Sequence, residues 1–464
     1  MEWGDRAWDS RANYIWALEP PGSEEARQQR HLVRESSWYA LGLLLRNENG
    51  DRTRAIQILN AVLDEQYDEP GAVWNGTFYR APEEPHPTLF ARMWDHYDPN
   101  WREFIGCTFA TILIEYGSQL PAPLVARLET SIDRAVEGEI HEKRLEPSYT
   151  NIALMYGFLW SFAGHRHGHQ DWIKQSAEWT ETVYRLFQQH GSFNEFNSPT
   201  YYGVDFYGLA LWRVYGPSPR MREMGAAMER ALWRDVALFY NANLRNIAGP
   251  YDRAYGMDMT SYISVTGVWL RTVLPPNLAP FPELKSPVHQ MDDLLFAPLI
   301  VMLGTPIPPD AMKHFESFQG EHLVKREITD KRTATAWVGR NMIIGGEITG
   351  RTKDCGTLRN QFHPVTVQWK MPDGRIGWIQ MTQSPRLDAE AGENSVTIRA
   401  IGDSRFRINA PQLDSAKITA DSWALPGLLV QVETDAQHFA VAPGQGFVDL
   451  LYQSATKFQL KFDH

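Results

Sequence analysis

Apolar residues recur every three or four positions from about residue 30 to about residue 305. Trp38, Leu41, Leu44 and Leu45 form one such set, and this spacing places its members on one face of an α-helix. Further helices are predicted at about 122–137, 148–164, 170–189, 200–215, 221–243 and 258–273. Clusters of Pro, Gly and Asn separate these stretches, as is typical of helix starts and turns. The N-terminal part of the chain is therefore predicted to be helical.

The predicted helices differ in how far their apolar surface extends. Residues 151–163 and 207–215 are apolar almost all round, which is typical of buried inner helices. Residues 122–137 and 221–238 carry charges on one face and are predicted to face solvent. Successive hairpins of about fifty residues that alternate inner and outer helices predict an (α/α)-toroid, which is a closed ring of helical hairpins. An open solenoid is the structural alternative.

The pattern changes after Pro308-Pro309. Alternating and β-branched runs occur at 334–348, 365–371, 376–382, 395–401, 426–433 and 437–442. Such runs predict β-strands, and the Pro-Asp-Gly at 372–374 predicts a turn between two of them. We therefore expect an α+β multidomain protein. An (α/α)-toroid catalytic domain would span residues 1–312, and an antiparallel, sandwich-like β-sheet domain would span residues 313–464.

Composition and charge narrow the class of protein. The chain has 464 residues, of which 43% are hydrophobic and 22% charged, as in soluble proteins with more than one domain. Its net charge of −11 argues against a nucleic-acid binder, which usually presents a basic face. No run approaches the roughly 20 apolar residues of a membrane span. The N-terminus lacks the apolar core of a signal peptide, so we expect a cytoplasmic protein, or a secreted or periplasmic one whose leader was removed.

Four loops lead into the predicted inner helices and carry the candidate site residues. They lie at 97–101, 146–151, 194–202 and 249–258, and they are rich in Asn, Tyr, Arg, Asp and Trp. In a ring of hairpins these loops converge on one end. Helix capping is an alternative explanation for Asn197, Ser198 and Asp258, because Asn, Ser and Asp are favoured caps.

Tyrosine and arginine do not cap helix starts, so Tyr201, Tyr202, Tyr251, Arg253 and Tyr255 need another explanation. These residue types suit β-elimination next to a uronate carboxylate. Removal of the C5 proton creates negative charge that a neutral amide such as Asn stabilises. A tyrosine takes that proton or gives one to the leaving oxygen, and a nearby Arg is expected to favour the phenolate. No metal is required, and His363 alone does not support a structural metal in the β domain.

The run from Asn197 to Tyr202 follows Tyr149-Thr150-Asn151 by about fifty residues. This arrangement resembles the heparinase II/III and chondroitin AC group of toroid polysaccharide lyases, which includes toroid alginate and glucuronan lyases. The resemblance implies that Asn151 neutralises the uronate carboxylate, that Tyr201 is the acid/base and that Arg253 is its electrostatic partner.

One position departs from that group. Where relatives often have a His directly after the catalytic Tyr, this chain has Tyr202, and we expect His190 to take the place of that His. Tyr251 and Tyr255 compete with Tyr201 for the role of base. The residues predicted to bind substrate are Tyr202, Asn197, Asn100, Trp101, His96 and Asn194.

The sequence thus predicts a polysaccharide lyase that cleaves an acidic, uronic-acid-containing glycan without a metal. A glycoside hydrolase on the same fold is the first alternative, because Glu195, Asp205, Asp252 and Asp258 lie in or near the loops and two of them can flank a glycosidic bond. A non-catalytic glycan-binding protein is the second. Glucuronan, alginate, a glycosaminoglycan and a plant-gum glucuronide all remain open as substrates, as do exo or endo action and oligomeric state.

Overall fold

A computed structural model describes residues 1–20, 30–353, 355 and 361–464. The chain forms two compact units. Unit 1 comprises Met1–Leu186, Val204–Glu229 and Glu283–Thr305, and unit 2 comprises Phe187–Gly203, Arg230–Pro282 and Pro306–His464. The domain boundary near residue 312 stays a prediction.

Twelve α-helices occur in the described part of the chain. They are α1 (Glu2–Ala7), α2 (Val33–Arg46), α3 (Asp51–Asp64), α4 (Trp101–Tyr116), α5 (Ala122–Glu142), α6 (Thr150–His167), α7 (Gln170–His190), α8 (Tyr201–Tyr215), α9 (Pro219–Phe239), α10 (Val265–Arg271), α11 (Ala297–Leu303) and α12 (Pro309–Glu316). No described helix is long and apolar enough to cross a membrane.

The burial of α5 and α6 follows their sequence patterns. Every residue of α6 from Thr150 to Gly164 is buried, as predicted from its continuous apolar composition. In α5 the buried residues include Leu124, Leu128 and Ile132, which recur every four positions and therefore share one face. The distinction between inner and outer helices is confirmed for this pair.

Two predicted helices are shorter than expected. The helix predicted at 258–273 begins only at Val265, because Asp258 organises a turn in which its carboxylate accepts the amide of Thr260 at 2.9 Å. Ser264 then caps α10 by accepting the amide of Gly267 at 3.1 Å. The helix predicted at 221–243 ends at Phe239, where a short strand starts.

Short strands accompany the helices. The strands β1 (Trp8–Asp9), β2 (Tyr14–Trp16) and β3 (His31–Leu32) form one small sheet, and β4 (Tyr240–Asn241) pairs with β5 (Asn246–Ile247) as a hairpin.

The C-terminal part of the chain forms an antiparallel sheet of 11 strands. They are β6 (His322–Thr329), β7 (Arg332–Val338), β8 (Met342–Ile348), β9 (Val365–Lys370), β10 (Ile376–Gln383), β11 (Asp388–Gly392), β12 (Ser395–Asn409), β13 (Ser422–Leu425), β14 (Leu428–Thr434), β15 (His438–Pro443) and β16 (Val448–Asp463). The predicted fold class, helical hairpins followed by an antiparallel β-sheet, is confirmed.

The sheet curls back on itself around one core. Its main order is β13-β14-β16-β12-β10-β9-β8-β7-β6, and β11 pairs with both β12 and β8. This pairing closes a circuit of five strands, β12-β10-β9-β8-β11. The hydrophobic core cluster of this sheet includes Trp369, Ile379, Phe406 and Trp423. The predicted turn at 372–374 is confirmed, with Gly374 at φ 86° between β9 and β10.

Candidate active site

Two loops of unit 2 are joined through the side chain of Asn197. Its amide nitrogen donates to the carbonyls of Ala248 and Pro250 at 2.6 and 3.0 Å. The amide of Asp252 donates to the carbonyl of Phe196 at 3.0 Å. The loop that enters α8 is therefore fixed against the loop that follows β5. The side chain of Asn197 is buried, and these contacts give it a structural role in holding the two loops together.

A backbone ladder fixes the other side of the second loop. Tyr251 and His363 exchange two backbone hydrogen bonds of 3.1 and 2.8 Å, and the amide of Ala254 donates to the carbonyl of Gln361 at 2.9 Å. Because Arg253 lies between the two rungs, its backbone is held on both sides.

This arrangement brings together Tyr201, Arg253 and Tyr255, three of the residues predicted from the sequence. The hydroxyls of Tyr201 and Tyr255 are hydrogen-bonded to each other. The Arg253 guanidinium lies 3.8 Å from the centre of the Tyr201 ring, and its Nη2 donates to the Tyr255 hydroxyl at 3.5 Å. Both tyrosines are partly exposed, and the Arg253 side chain is 30% exposed. The three groups can therefore reach a ligand.

Two further side chains hold the guanidinium of Arg253. Its Nε donates to Gln361 Oε1 at 2.7 Å, and its Nη1 donates to Glu195 Oε1 at 2.9 Å. Glu195 and Gln361 were not predicted as partners, because they lie 58 and 108 residues away in the sequence. The planar guanidinium is thus fixed in one orientation between the two tyrosines.

The protonation state of Tyr201 differs from the expectation. Burial raises the pKa of Tyr201 well above its ordinary value, Tyr255 adds to that rise, and Arg253 opposes it without reversing it. Tyr201 therefore keeps its proton at neutral pH. The expected arginine-assisted phenolate is wrong for this residue in the ligand-free protein, because desolvation outweighs the nearby positive charge. The raised pKa suits a proton donor.

The carboxylates of the same region are engaged in ion pairs. Glu195 pairs with Arg253, and the buried Asp252 pairs with both Arg332 and Lys353. Asp252 also accepts the amide of Phe196 at 3.1 Å. Both carboxylates therefore have cationic partners within the protein.

The histidine next to this site is His363. Burial lowers its pKa to about 4, with the backbone of Ala254 and Met381 acting in the opposite direction. His363 is therefore neutral at pH 7 and can accept or donate a hydrogen bond. His190 Nε2, by contrast, lies 3.3 Å from Asp330 Oδ1. Within the described residues no contact joins His190 to the tyrosine pair, so its catalytic role stays a prediction.

The other predicted residues of unit 2 have different surroundings. Tyr251 is fully buried, donates to the carbonyl of Ile247, and accepts a 2.8 Å hydrogen bond from Gln368. Tyr202 is buried and packs edge-on against Phe196. Asn194 is exposed, and its carbonyl accepts from Arg332 at 3.4 Å. Tyr251 therefore belongs to the core, and a role in substrate binding for Tyr202 and Asn194 stays a prediction.

Four predicted residues lie in unit 1. Asn151 is the second residue of α6, is buried, and donates to Thr150 Oγ1 at 3.1 Å. Asn100 and Trp101 are buried at the start of α4, whereas His96 is exposed and accepts the amide of Arg92 at 3.0 Å. Their roles stay predictions. In the described ranges of the chain, no group of three or more His, Cys, Asp or Glu is arranged to hold a metal ion.

Comparison with solved structures finds similarities at low sequence identity. Heparinase III is 9% identical, over 95% of this chain and 77% of that chain, with a TM-score of 0.41. A mutant of the chondroitin AC lyase of Streptomyces coelicolor A3 is 12% identical, over 99% of this chain and 78% of that chain, with a TM-score of 0.40. The endoglucanase CelQ of Clostridium thermocellum in complex with cellotriose is 10% identical, over 94% of this chain and 84% of that chain, with a TM-score of 0.24. At these values the similarities do not establish an activity.

No curated protein sequence matches the chain. Residues 320–446 match a family model described as a domain of unknown function, DUF8770. Residues 1–305 match another, also described as a domain of unknown function, DUF8769. Because this second match spans more than half of the 464 residues, the chain belongs to the DUF8769 family.

Proposed function

We propose that this protein is a polysaccharide lyase that cleaves a uronic-acid-containing glycan by β-elimination with its own side chains. The observation that carries the proposal is the hydrogen-bonded pair of Tyr201 and Tyr255 held against Arg253. β-Elimination needs one group that removes the C5 proton and one that protonates the leaving oxygen. Two tyrosines that share a hydrogen bond provide both groups within one site.

Tyr201 is the proposed acid. Its raised pKa keeps the proton on the hydroxyl until a leaving group develops negative charge. Tyr255 is the proposed base. Its oxygen accepts a hydrogen bond from the Arg253 guanidinium and shares another with the Tyr201 hydroxyl, so both neighbours lie where they contact the oxygen that takes the proton.

The proton transfers balance over one turnover. In the proposed mechanism Tyr255 starts as the phenolate. Its oxygen takes the C5 proton, and the electron pair of that bond forms the C4–C5 double bond. The C4–O bond then breaks, and the leaving oxygen takes the proton of Tyr201. A proton passes from Tyr255 to Tyr201 through their shared hydrogen bond, which restores the starting state. Neither water nor any other co-reactant is consumed.

Two further residues are proposed to take part in the reaction. From the sequence, Asn151 is the residue proposed to hydrogen-bond the uronate carboxylate and to stabilise the charge that develops when the C5 proton leaves. We place His363 in the site in preference to His190, because His363 shares the backbone ladder that holds Arg253. Its neutral imidazole suits a hydrogen bond to the same carboxylate.

The hydrolase alternative receives less support. A hydrolase needs one protonated and one ionised carboxyl group flanking the glycosidic bond. Glu195 is held by Arg253, and Asp252 is held by Arg332 and Lys353, so both carboxylates are already engaged by cationic side chains of the protein.

The test is an assay on a panel of polymers. Glucuronan, alginate, chondroitin and a plant-gum glucuronide would each be incubated with the protein, with a neutral glucan as control. The proposal expects an ultraviolet-absorbing unsaturated uronate from at least one acidic polymer and none from the glucan. New reducing ends without ultraviolet absorbance would favour the hydrolase, and no turnover of any polymer would favour the non-catalytic binding protein.

A further inference from the structure

Unit 2 contains a cavity of about 720 Å³ that none of the residues of the tyrosine site lines. Its walls come from the β4–β5 turn, the loop after Asp258, and the hairpin of β9 and β10. The residues that matter for its chemistry are Arg245, Asp258, Lys370, Trp378 and Asn409.

The walls are fixed by hydrogen bonds that do not involve a ligand. In the β4–β5 turn, Asn241 Oδ1 accepts the amides of Asn243 and Leu244 at 2.8 and 3.0 Å. Asn246 joins this turn to the next loop, because its side chain donates to Asp258 at 3.0 Å and accepts the amide of Met259 at 2.7 Å. The cavity is therefore preformed and does not need to be ordered by a ligand.

The cations of the cavity are available for a negatively charged ligand. Among the described residues, neither Arg245 nor Lys370 has a carboxylate within ion-pair distance, whereas Arg375 pairs with Asp373 at 2.6 Å. Arg245 makes one long hydrogen bond, to the carbonyl of Ala279 at 3.4 Å. Lys370 is exposed. The nearby Asp258 accepts three hydrogen bonds at its Oδ1, one from the side chain of Asn246 and two from Thr260.

An aromatic ring and polar groups accompany the cations. In β10, Trp378 alternates with the buried Ile379, so its side chain lies on the sheet face opposite that core residue. Trp378 pairs with Asn409 of β12, and Asn277 and Thr260 add an amide and a hydroxyl. Aromatic faces stack on the apolar faces of sugar rings, and amides and hydroxyls match sugar hydroxyls.

We propose that this cavity is a second glycan-binding site, which takes an acidic sugar unit at a distance along the polymer from the bond that is cleaved. In this arrangement Trp378 stacks on the ring while Lys370 and Arg245 bind the carboxylate. The proposal rests on the proposed function for the class of glycan. A site of this kind holds a long polymer and has little effect on a short one.

The experiment compares Lys370→Ala and Trp378→Ala with the wild-type protein. Lys325→Ala is the matched control, because Lys325 is an exposed lysine on β6 of the same sheet and does not line the cavity. Binding to hexasaccharides of glucuronan, alginate and chondroitin would be measured by calorimetry, with cellohexaose and inorganic phosphate as further probes. The cleavage rates on the hexasaccharides and on the polymers would be measured in parallel.

We expect a second binding event in the wild-type protein that Lys370→Ala and Trp378→Ala each weaken by about tenfold or more, the effect of losing one strong contact. Lys325→Ala should leave it unchanged. KM should rise for polymers, with kcat on the hexasaccharides unaffected. Unchanged binding in both cavity variants would overturn the proposal, and so would equal binding of cellohexaose or of inorganic phosphate.

The outcomes also separate this proposal from the proposed function. If the acidic hexasaccharides bind in a manner that depends on Lys370 and Trp378 but no polymer is cleaved, the second site stands and the lyase activity fails. If polymers are cleaved with an unsaturated product and both cavity variants bind and cleave like the wild-type protein, the lyase activity stands and the second site fails.

Discussion

Tyr201 and Tyr251 lie in the same unit, but their hydroxyls have different partners, so replacing each with phenylalanine separates catalysis from stability. The Tyr201 hydroxyl pairs with Tyr255 at a partly exposed site beside Arg253. The Tyr251 hydroxyl is buried, accepts from Gln368 at 2.8 Å and donates to the carbonyl of Ile247. The two substitutions remove the same atom from opposite environments.

The expected magnitudes differ for that reason. Tyr201→Phe removes the proposed proton donor, and a positioned acid or base contributes about 10²- to 10⁴-fold to a rate. We expect kcat to fall by about 10³-fold, KM to stay within about threefold, and stability to change by about 1 kcal/mol or less. Tyr251→Phe takes a donor from the buried carbonyl of Ile247. Gln368 keeps its hydrogen bond to the carbonyl of Met257 at 2.8 Å, so the loss comes from the unpaired Ile247 carbonyl. We expect this loss to be about 1–3 kcal/mol of stability.

Both variants would be compared by two assays. The rate of formation of the ultraviolet-absorbing product gives kcat and KM, and unfolding in urea gives the free energy of unfolding. A Tyr201→Phe variant with near wild-type kcat would refute the acid role. A Tyr251→Phe variant that unfolds like the wild-type protein but has lost its activity would show that Tyr251 is the functional tyrosine.

Three other substitutions extend the test. Asn151→Ala should lower kcat by about 10²- to 10³-fold, as loss of one charge-stabilising donor does, and a near wild-type rate would exclude Asn151. Arg253→Lys should lower kcat by about 10²-fold despite the retained charge, because a point charge cannot contact Glu195, Gln361 and Tyr255 together; an unaltered kcat would contradict this. Burial and Asp252 raise the pKa of Glu347 to about 8, with Arg332 opposing. The folded protein then binds that proton more tightly than the unfolded chain, so stability should fall as pH rises from about 4.5 to about 8. In Glu347→Gln this part of the pH dependence should vanish, as measured by urea unfolding at several pH values, and an identical pH profile would contradict the assignment.

Local sequence patterns predicted the helices and strands because those patterns report burial directly. The continuous apolar run of α6 can only be buried, and the four-residue spacing in α5 can only give one buried face. The prediction was wrong at 258–273, where helical spacing continued through residues that form a turn. There the side chain of Asp258 competes with the helix for backbone amides, which is how Asp disfavours helix interiors.

The candidate site was predictable in part. Tyr201, Arg253 and Tyr255 could be selected because tyrosine and arginine have no capping role at a helix start. The partners Glu195 and Gln361 could not, because only the folded loops bring them to Arg253. The protonation state of Tyr201 could not be predicted from the sequence either. It depends on whether desolvation raises the pKa of Tyr201 more than the charge of Arg253 lowers it. Tyr251 was selected by the same rule but belongs to the core.

Cleavage in water labelled with heavy oxygen tests the central proposal most directly. β-Elimination adds no water to the product, whereas hydrolysis adds one oxygen atom from water at the cleaved bond. The protein would be incubated with the acidic polymer that it cleaves, and the masses of the products would be measured by mass spectrometry. Tyr201→Phe would be the parallel control. We expect unsaturated products that contain no heavy oxygen and that form about 10³-fold more slowly with Tyr201→Phe. Saturated products that carry one heavy oxygen atom per cleaved bond would contradict the proposal.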